Sequence, residues 1–442
     1  MSNLLKNFFH FLKYDLNLID RLSEKGTQTR QLLASYLNNR RFIYDSSLLL
    51  LANVIVTILG IIRTPIMTWI LPKEEIGMIG VVVAWITFIQ LSSLTGLDTS
   101  IYHYIAKGFS QAFTEGTSVR LKWSIISSIL FFIVSIYWFY KGDSSLALMF
   151  VVTAISFPLT NGLSACAGML SAQQRFKSLF WYRIWESLTD FTGFIPLAFS
   201  AWLISRVVTF FTANMFATAI MQFGVSYVLY KQLRNQNQTK MLLDDKNEMV
   251  RYGKHLTVIN SISTIQSRTD SLVVGMFLPL LTMADYSIGM LVSEQLKKLW
   301  VIYTTLRYPS FVKMNRDLRR KRFFIEGVII FLGFVICSIA IMILAHIFIP
   351  IILPQSYKSS IPYIDILTAS FAVSVPGIIS ELYFRTEQNE KRQYLIRTIS
   401  AIAGIIFPLL FSFLWGGYGV AYGRLLANLS FSLVGIFIFL QK

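Results

Sequence analysis

Apolar residues fall along the chain in blocks of roughly 20 positions, the length a helix needs to cross ~30 Å of hydrocarbon at 1.5 Å per residue. Runs such as Leu146 to Leu170 and Phe323 to Leu353 are long and predominantly apolar. They lack the short alternating segments of a barrel, so they predict spanning helices. Twelve spans are read, near 46–71, 76–97, 122–140, 146–170, 180–204, 207–230, 257–280, 283–306, 323–353, 361–384, 395–415 and 418–440. The expected fold class is an all-α integral membrane protein.

The basic residues test that map. Of 40 Lys and Arg, 31 fall on the N-terminal tail, the even-to-odd loops or the C-terminus, and five lie deep within spans. Only Lys73, Lys141, Arg206 and Lys358 fall on the opposite side. By the positive-inside rule this predicts a multi-pass protein of a bacterial inner membrane with both termini cytoplasmic. Apolar residues make up 54% of the 442 positions and charged ones 14%, outside the usual range for soluble chains. The net charge of +17 is explained by basic loops beside anionic membrane lipid and calls for no nucleic acid.

A charged stretch at mid-chain divides the spans into two halves. The expected organisation is a cytoplasmic segment over 1–45, a six-helix bundle over 46–230, a cytoplasmic linker over 231–254 and a second six-helix bundle over 255–442. The halves repeat. Leu71-Pro72 is followed by Glu75-Ile76-Gly77, and Leu278-Pro279 by Asp285-Tyr286-Ser287-Ile288-Gly289. Roughly a hundred residues on, each half has a polar loop, Gln173 to Phe176 and Gln388 to Arg392. Residues 4 to 22 carry Leu5, Phe8, Phe9, Leu12, Leu16 and Ile19 at helical spacing, which predicts an amphipathic helix on the membrane face. Cys166 and Cys337 sit in apolar runs with no metal-ligand spacing, and no cleavable signal peptide precedes the first span.

The stretch Leu51 to Gly108, with Leu71-Pro72-Lys73-Glu74-Glu75-Ile76-Gly77, Gly96-Leu97-Asp98 and Tyr104-Ile105-Ala106, resembles the start of Wzx-type polysaccharide flippases. These belong to the multidrug/oligosaccharidyl-lipid/polysaccharide (MOP) exporter superfamily. Arg268-Thr269-Asp270, Gly275 and Asp285 to Gly289 resemble that family's seventh and eighth helices. The amphipathic N-terminal extension departs from the family pattern. The resemblance implies two pseudo-symmetric six-helix bundles around a central cavity that alternates between inward-open and outward-open forms. It also implies an undecaprenyl-diphosphate-linked oligosaccharide as cargo, with polysaccharide polymerase and chain-length proteins as further partners.

An ionisable side chain at the centre of a span costs ~2.5–3.5 kcal/mol on insertion scales, so each one kept there marks a site. Arg63, Arg268, Lys297, Lys298 and Arg424 are the candidate cavity cations for a diphosphate, and Asp190, Asp270 and Glu294 the candidates for gating or ion coupling. Ser261, Thr264, Arg268 and Ser271 share one helix face, with Asp270 about 200° from Arg268. Arg63 and Asp270 each lie nine residues inward of a Leu-Pro pair, at about 13 Å depth, which predicts a contact across the cavity in one state. Glu294 has Lys297 and Lys298 at local pairing distance, whereas Asp190 needs a partner from another helix. Asp98 and His103 read as interfacial, and His346 as packed.

No Gly-rich loop followed by Lys-Ser/Thr is present, so ATP is not expected as a cofactor. A proton gradient, a sodium gradient or the membrane potential is the expected energy source. Short outer loops leave no room for an external catalytic domain, which argues for a transporter and against an enzyme. An ion-coupled multidrug exporter of the same superfamily is the alternative function.

Overall fold

A computed structural model describes residues 40–199, 205–234, 241–312, 316–387 and 389–441. These form α1 (Arg40–Ile70), α2 (Lys73–Ile89), α3 (Leu97–Ala106), α4 (Ala112–Tyr140), α5 (Ser144–Thr160), α6 (Cys166–Ala172) and α7 (Phe176–Thr189). They continue with α8 (Phe194–Ala198), α9 (Arg206–Arg234), α10 (Leu243–Phe277), α11 (Leu280–Val312), α12 (Arg316–Ile352), α13 (Ile361–Thr386) and α14 (Glu390–Leu440). Among the described residues there is no strand, and the protein is an all-α, multi-pass membrane protein. The amphipathic segment read at residues 4 to 22 lies outside the described residues.

Proline punctuates one end of the molecule. Pro72 and Pro354 hold ψ at 149° and 151°, and Leu278 before Pro279 is extended, so each Leu-Pro pair stops one helix and aims the next. At the turn into α5, Asp143 accepts a 3.0 Å hydrogen bond from the Leu146 amide, satisfying an otherwise orphaned donor. The last two spans form one helix object bent at Trp415 and Gly416. Gly416 has φ 56° and ψ −132°, a conformation that a side chain would strain.

Among the described residues, seven helices are long and apolar enough to cross a membrane, by length and composition. α10 and α11 fall short of that standard because they carry the charges: Arg268 and Asp270 on one, Glu294, Lys297 and Lys298 on the other. Three spans read as continuous are broken instead. The second leaves α2 through a 3₁₀ turn (Gln90–Ser93) and Leu94 at φ 56°; the fourth breaks after Asn161. The fifth, read over 180–204, ends its helix at Thr189, and the short α8 follows after Gly193. Backbone freed within a membrane must find partners in protein or water. Here Asn214 accepts from the Gly193 amide at 2.6 Å, and the Ser93 hydroxyl donates to the Gln90 carbonyl at 2.6 Å and to the Asn161 side chain at 2.8 Å.

Core packing distinguishes the two ends of the molecule. At the Leu-Pro end, one cluster joins Leu71, Ile76 and Phe210 from the first half to Ala284, Ile288, Leu353 and Tyr357 from the second. The neighbouring cluster also crosses, with Val81, Phe150 and Phe157 sharing a core with Val273, Tyr286 and Leu367. Towards the basic end the clusters separate. Leu97, Ile101, Met169 and Leu229 form one, to which the second half contributes Met249, and Trp300, Phe323, Tyr383 and Phe431 form the other.

Two glycine contacts set the seam between halves. A Cβ on Gly77 would collide with the Leu280 carbonyl oxygen, so only glycine lets α2 meet α11 there. Near the basic end a Cβ on Gly253 would lie 2.6 Å from a Leu97 methyl, where α10 crosses α3. α1 is different: Leu51, Val54, Ile58, Ile61, Ile62 and Trp69 are all exposed, and it rests mainly on α7.

Candidate functional site

α10 brings Arg268 and Asp270 into the second half on opposite sides of its axis, as their spacing requires. Asp270 points into the protein, only 3% exposed, and its carboxylate accepts hydrogen bonds from both the Arg424 guanidinium of α14 and the Tyr286 hydroxyl of α11. Arg268, on the other face, forms an ion pair with Glu294 of α11. Arg268, Glu294, Lys297 and Arg424 then line one polar recess of about 30 Å³ with Ser267, Ser293 and Asn428. Three cations face two carboxylates around it, and among the described residues Lys297 makes no hydrogen bond or ion pair.

The remaining predicted residues lie on or beside α1. Arg63 sits 3.4 Å from Asp190, its guanidinium 6.0 Å from the centre of the Phe210 ring. This supplies the partner on another helix that Asp190 needs. Lys298 reaches out of the second half to the Thr57 hydroxyl at 3.4 Å, a polar contact between α11 and α1.

Two pairings differ from those read in the sequence. The cross-cavity contact of Arg63 with Asp270 is not formed in this conformation, because each has a nearer partner in its own half. Glu294 turns to Arg268 rather than to the lysines of its own helix, since a guanidinium offers a planar fork to a carboxylate and an ammonium does not. His346 lies 3.6 Å from Asp365, an ion pair when the imidazole is protonated, rather than in purely apolar packing.

Sequence reading missed two charged sites. On the seam at the Leu-Pro end, Lys73 Nζ is 2.7 Å from Asp285 and donates to the Ser356 carbonyl and the Ser359 hydroxyl, each at 2.7 Å. The Trp69 indole donates to the Ile352 carbonyl at 2.8 Å beside it. Lys73 and Asp285 belong to the repeated Leu-Pro motif, so the repeat itself was the signal.

The second site is inside the first half. Arg120, its side chain 3% exposed, pairs with Asp98 and donates to Asn161 Oδ1 at 3.1 Å. The guanidinium thereby ties together two of the helix breaks. Asp98, read as interfacial, is one wall of this buried network. Nothing in the local pattern flagged it, because Arg120 looks like one more basic residue at the inner end of a span.

The family described as polysaccharide biosynthesis protein matches residues 43–315. No curated protein matches the sequence. Among solved structures, the chain resembles an inward-facing multidrug resistance MATE family transporter of the MOP superfamily, with 12% identity over 86% of this chain and 93% of that one and a TM-score of 0.66. It also resembles the lipid II flippase MurJ in an inward closed conformation, with 13% identity over 90% of this chain and 87% of that one and a TM-score of 0.62. A MATE protein in a straight conformation gives 13% identity, coverage of 90% and 93%, and a TM-score of 0.59.

Proposed function

The chain belongs to the polysaccharide biosynthesis protein family, and on that premise we propose that it is a flippase for an undecaprenyl-diphosphate-linked oligosaccharide, moved from the cytoplasmic to the periplasmic leaflet of the inner membrane. In this reading the basic end faces the cytoplasm and the Leu-Pro end the periplasm. The observation that carries it is the excess of cations around the recess of α10, α11 and α14, with Lys297 uncompensated and Lys298 facing α1.

A diphosphate has the charge to compete with Glu294 for Arg268 and with Asp270 for Arg424. Charge-assisted hydrogen bonds of this kind gain about 1.5–3 kcal/mol each, enough for two or three to set specificity. The sugars carry hydroxyls that cost several kcal/mol each if stripped of water in hydrocarbon. They therefore follow the polar face of Ser261, Thr264 and Ser267 while the lipid tail stays in the bilayer. The recess as it stands is far too small for an oligosaccharide, so cargo entry requires the halves to move apart at the basic end.

All three carboxylates proposed for ion coupling are engaged by arginines. That arrangement favours the membrane potential as the driving force, worth ~2.3 kcal/mol per net negative charge moved outward across 100 mV. Deleting the gene and measuring lipid-linked repeat units together with surface polymer tests the cargo. Trapped lipid-linked units with loss of polymer support it. Unchanged pools would remove it in favour of drug export.

A further inference from the structure

A second charged cavity lies away from the recess, at the basic end of the seam. It is formed where the last turn of α3, in the first half, meets the second and third turns of α10, in the second half. Two stripes face each other there: His103, Tyr104 and Lys107 on α3, and Glu248, Arg251, Tyr252 and His255 on α10. The α10 residues recur at i, i+3, i+4 and i+7, so they form one face of that helix. The space between the stripes is about 560 Å³, far more than the membrane recess offers.

The donors in this cavity lack acceptors. Among the described residues, Lys107, Arg251, His103 and His255 form no ion pair and no hydrogen bond. Lys107 lies 5.0 Å over the Tyr104 ring, and the His103 ring is 6.1 Å from that of Tyr252. The one carboxylate, Glu248, adjoins the Tyr104 hydroxyl, which burial and that neighbour push above its ordinary pKa. By contrast, two other basic residues on this side that bridge two elements are answered: Lys246 by Glu115 at 2.6 Å, Arg175 by Gln232 at 2.8 Å. His103, Lys107, Arg251 and His255 are solvent-exposed, and the open groove they line brings donors from both halves to one place, accessible to an anion from solution.

We propose that this cavity binds a phosphate-bearing anion, and that occupancy clamps α3 to α10. The position gives the clamp leverage. Immediately alongside, the seam is held by the Ser100 hydroxyl donating to the Met249 carbonyl at 2.7 Å and by the Gly96 amide donating to Thr257 at 3.0 Å. An anion held by Lys107 and Arg251 adds charge-assisted bonds to a contact that Met249 already packs against Leu97 and Ile101. The site lies at the end of the seam that opens for cargo in the proposed function, but it shares no residue with the membrane recess and does not depend on what the cargo is. A free phosphate compound and the headgroup of an anionic lipid share the required chemistry.

The test uses the full chain in nanodiscs. Ala106→Cys and Asn247→Cys, both at exposed positions, with Cys337→Ser, allow a spin-label distance to be read across the seam. Inorganic pyrophosphate is titrated in phosphatidylcholine discs, and phosphatidylglycerol discs are compared without it. The expected result is a saturable narrowing of the distance distribution with at least one of the two. Response to pyrophosphate alone identifies a soluble anion, and response to phosphatidylglycerol alone a lipid headgroup. K107Q and R251Q should each weaken half-saturation about tenfold, with unfolding temperature unchanged in the absence of anion. No saturable response to either probe, or an unaltered response in the K107Q/R251Q double variant, overturns the proposal. If the double variant does not fold, the same criterion applies to R251Q alone.

Discussion

Lys73 Nζ and Asp285 Oδ1 lie 2.7 Å apart, joining the α2 start of the first half to α11 of the second, with both side chains largely shielded from solvent. Ser359 ties the pair to the turn before α13 by donating to Asp285 at 2.9 Å. The contact closes the Leu-Pro end of the seam and must open if that end admits solvent.

Removing one member of a shielded pair leaves the other uncompensated, a loss of about 3 kcal/mol. Lys73→Met or Asp285→Leu alone should therefore lower the unfolding temperature. Lys73→Met with Asp285→Leu should recover most of it. The same single variants should raise labelling of a cysteine placed at Ser356, a readout of opening at this end.

Glycine contacts predict a second asymmetry. Gly77→Ala places a methyl against the Leu280 carbonyl and should destabilise the protein, because neither backbone can move without parting the halves. Gly60→Ala is the control. It meets nothing within 4 Å, so it should stabilise α1 by up to about 1 kcal/mol. Thermal unfolding in one detergent compares the two.

That the chain is an all-α, multi-pass membrane protein was legible because lipid imposes a length and a charge rule that depend on composition alone. The pairing of charges was not. For Arg63 and Asp270, helix rise gives a height and says nothing about rotation, and in the structure each meets a different partner, Asp190 and Arg424. The breaks at Leu94, Asn161 and Asp190 were hidden for a related reason. Hydropathy averages over a window, and a few Ser, Thr and Asn residues do not interrupt it even where they bond to freed backbone groups.

Arg120 is the test of that hidden network. Arg120→Met should cost about 1–3 kcal/mol, since it removes the pair with the partly exposed Asp98 and the hydrogen bond to Asn161. Adding Asp98→Asn should restore part of the loss. Chemical unfolding monitored by tryptophan fluorescence reads both.

Carboxylates held by arginines bear on coupling. Flipping should fall when valinomycin and potassium collapse the membrane potential, and should survive collapse of the pH or sodium gradient alone. Dependence on either ion gradient would reassign Asp190, Asp270 or Glu294 to ion coupling.

The central claim is tested most directly by flipping in proteoliposomes carrying a fluorescent polyprenyl-diphosphate oligosaccharide, with the protein in one orientation. The account predicts protein-dependent movement of the labelled lipid to the leaflet at the Leu-Pro end. Arg268→Ala and Lys297→Ala should each raise half-saturation about tenfold or more through loss of a charge-assisted contact to the diphosphate. No movement above protein-free vesicles, or equal movement in the Arg268→Ala/Lys297→Ala double variant, would contradict it.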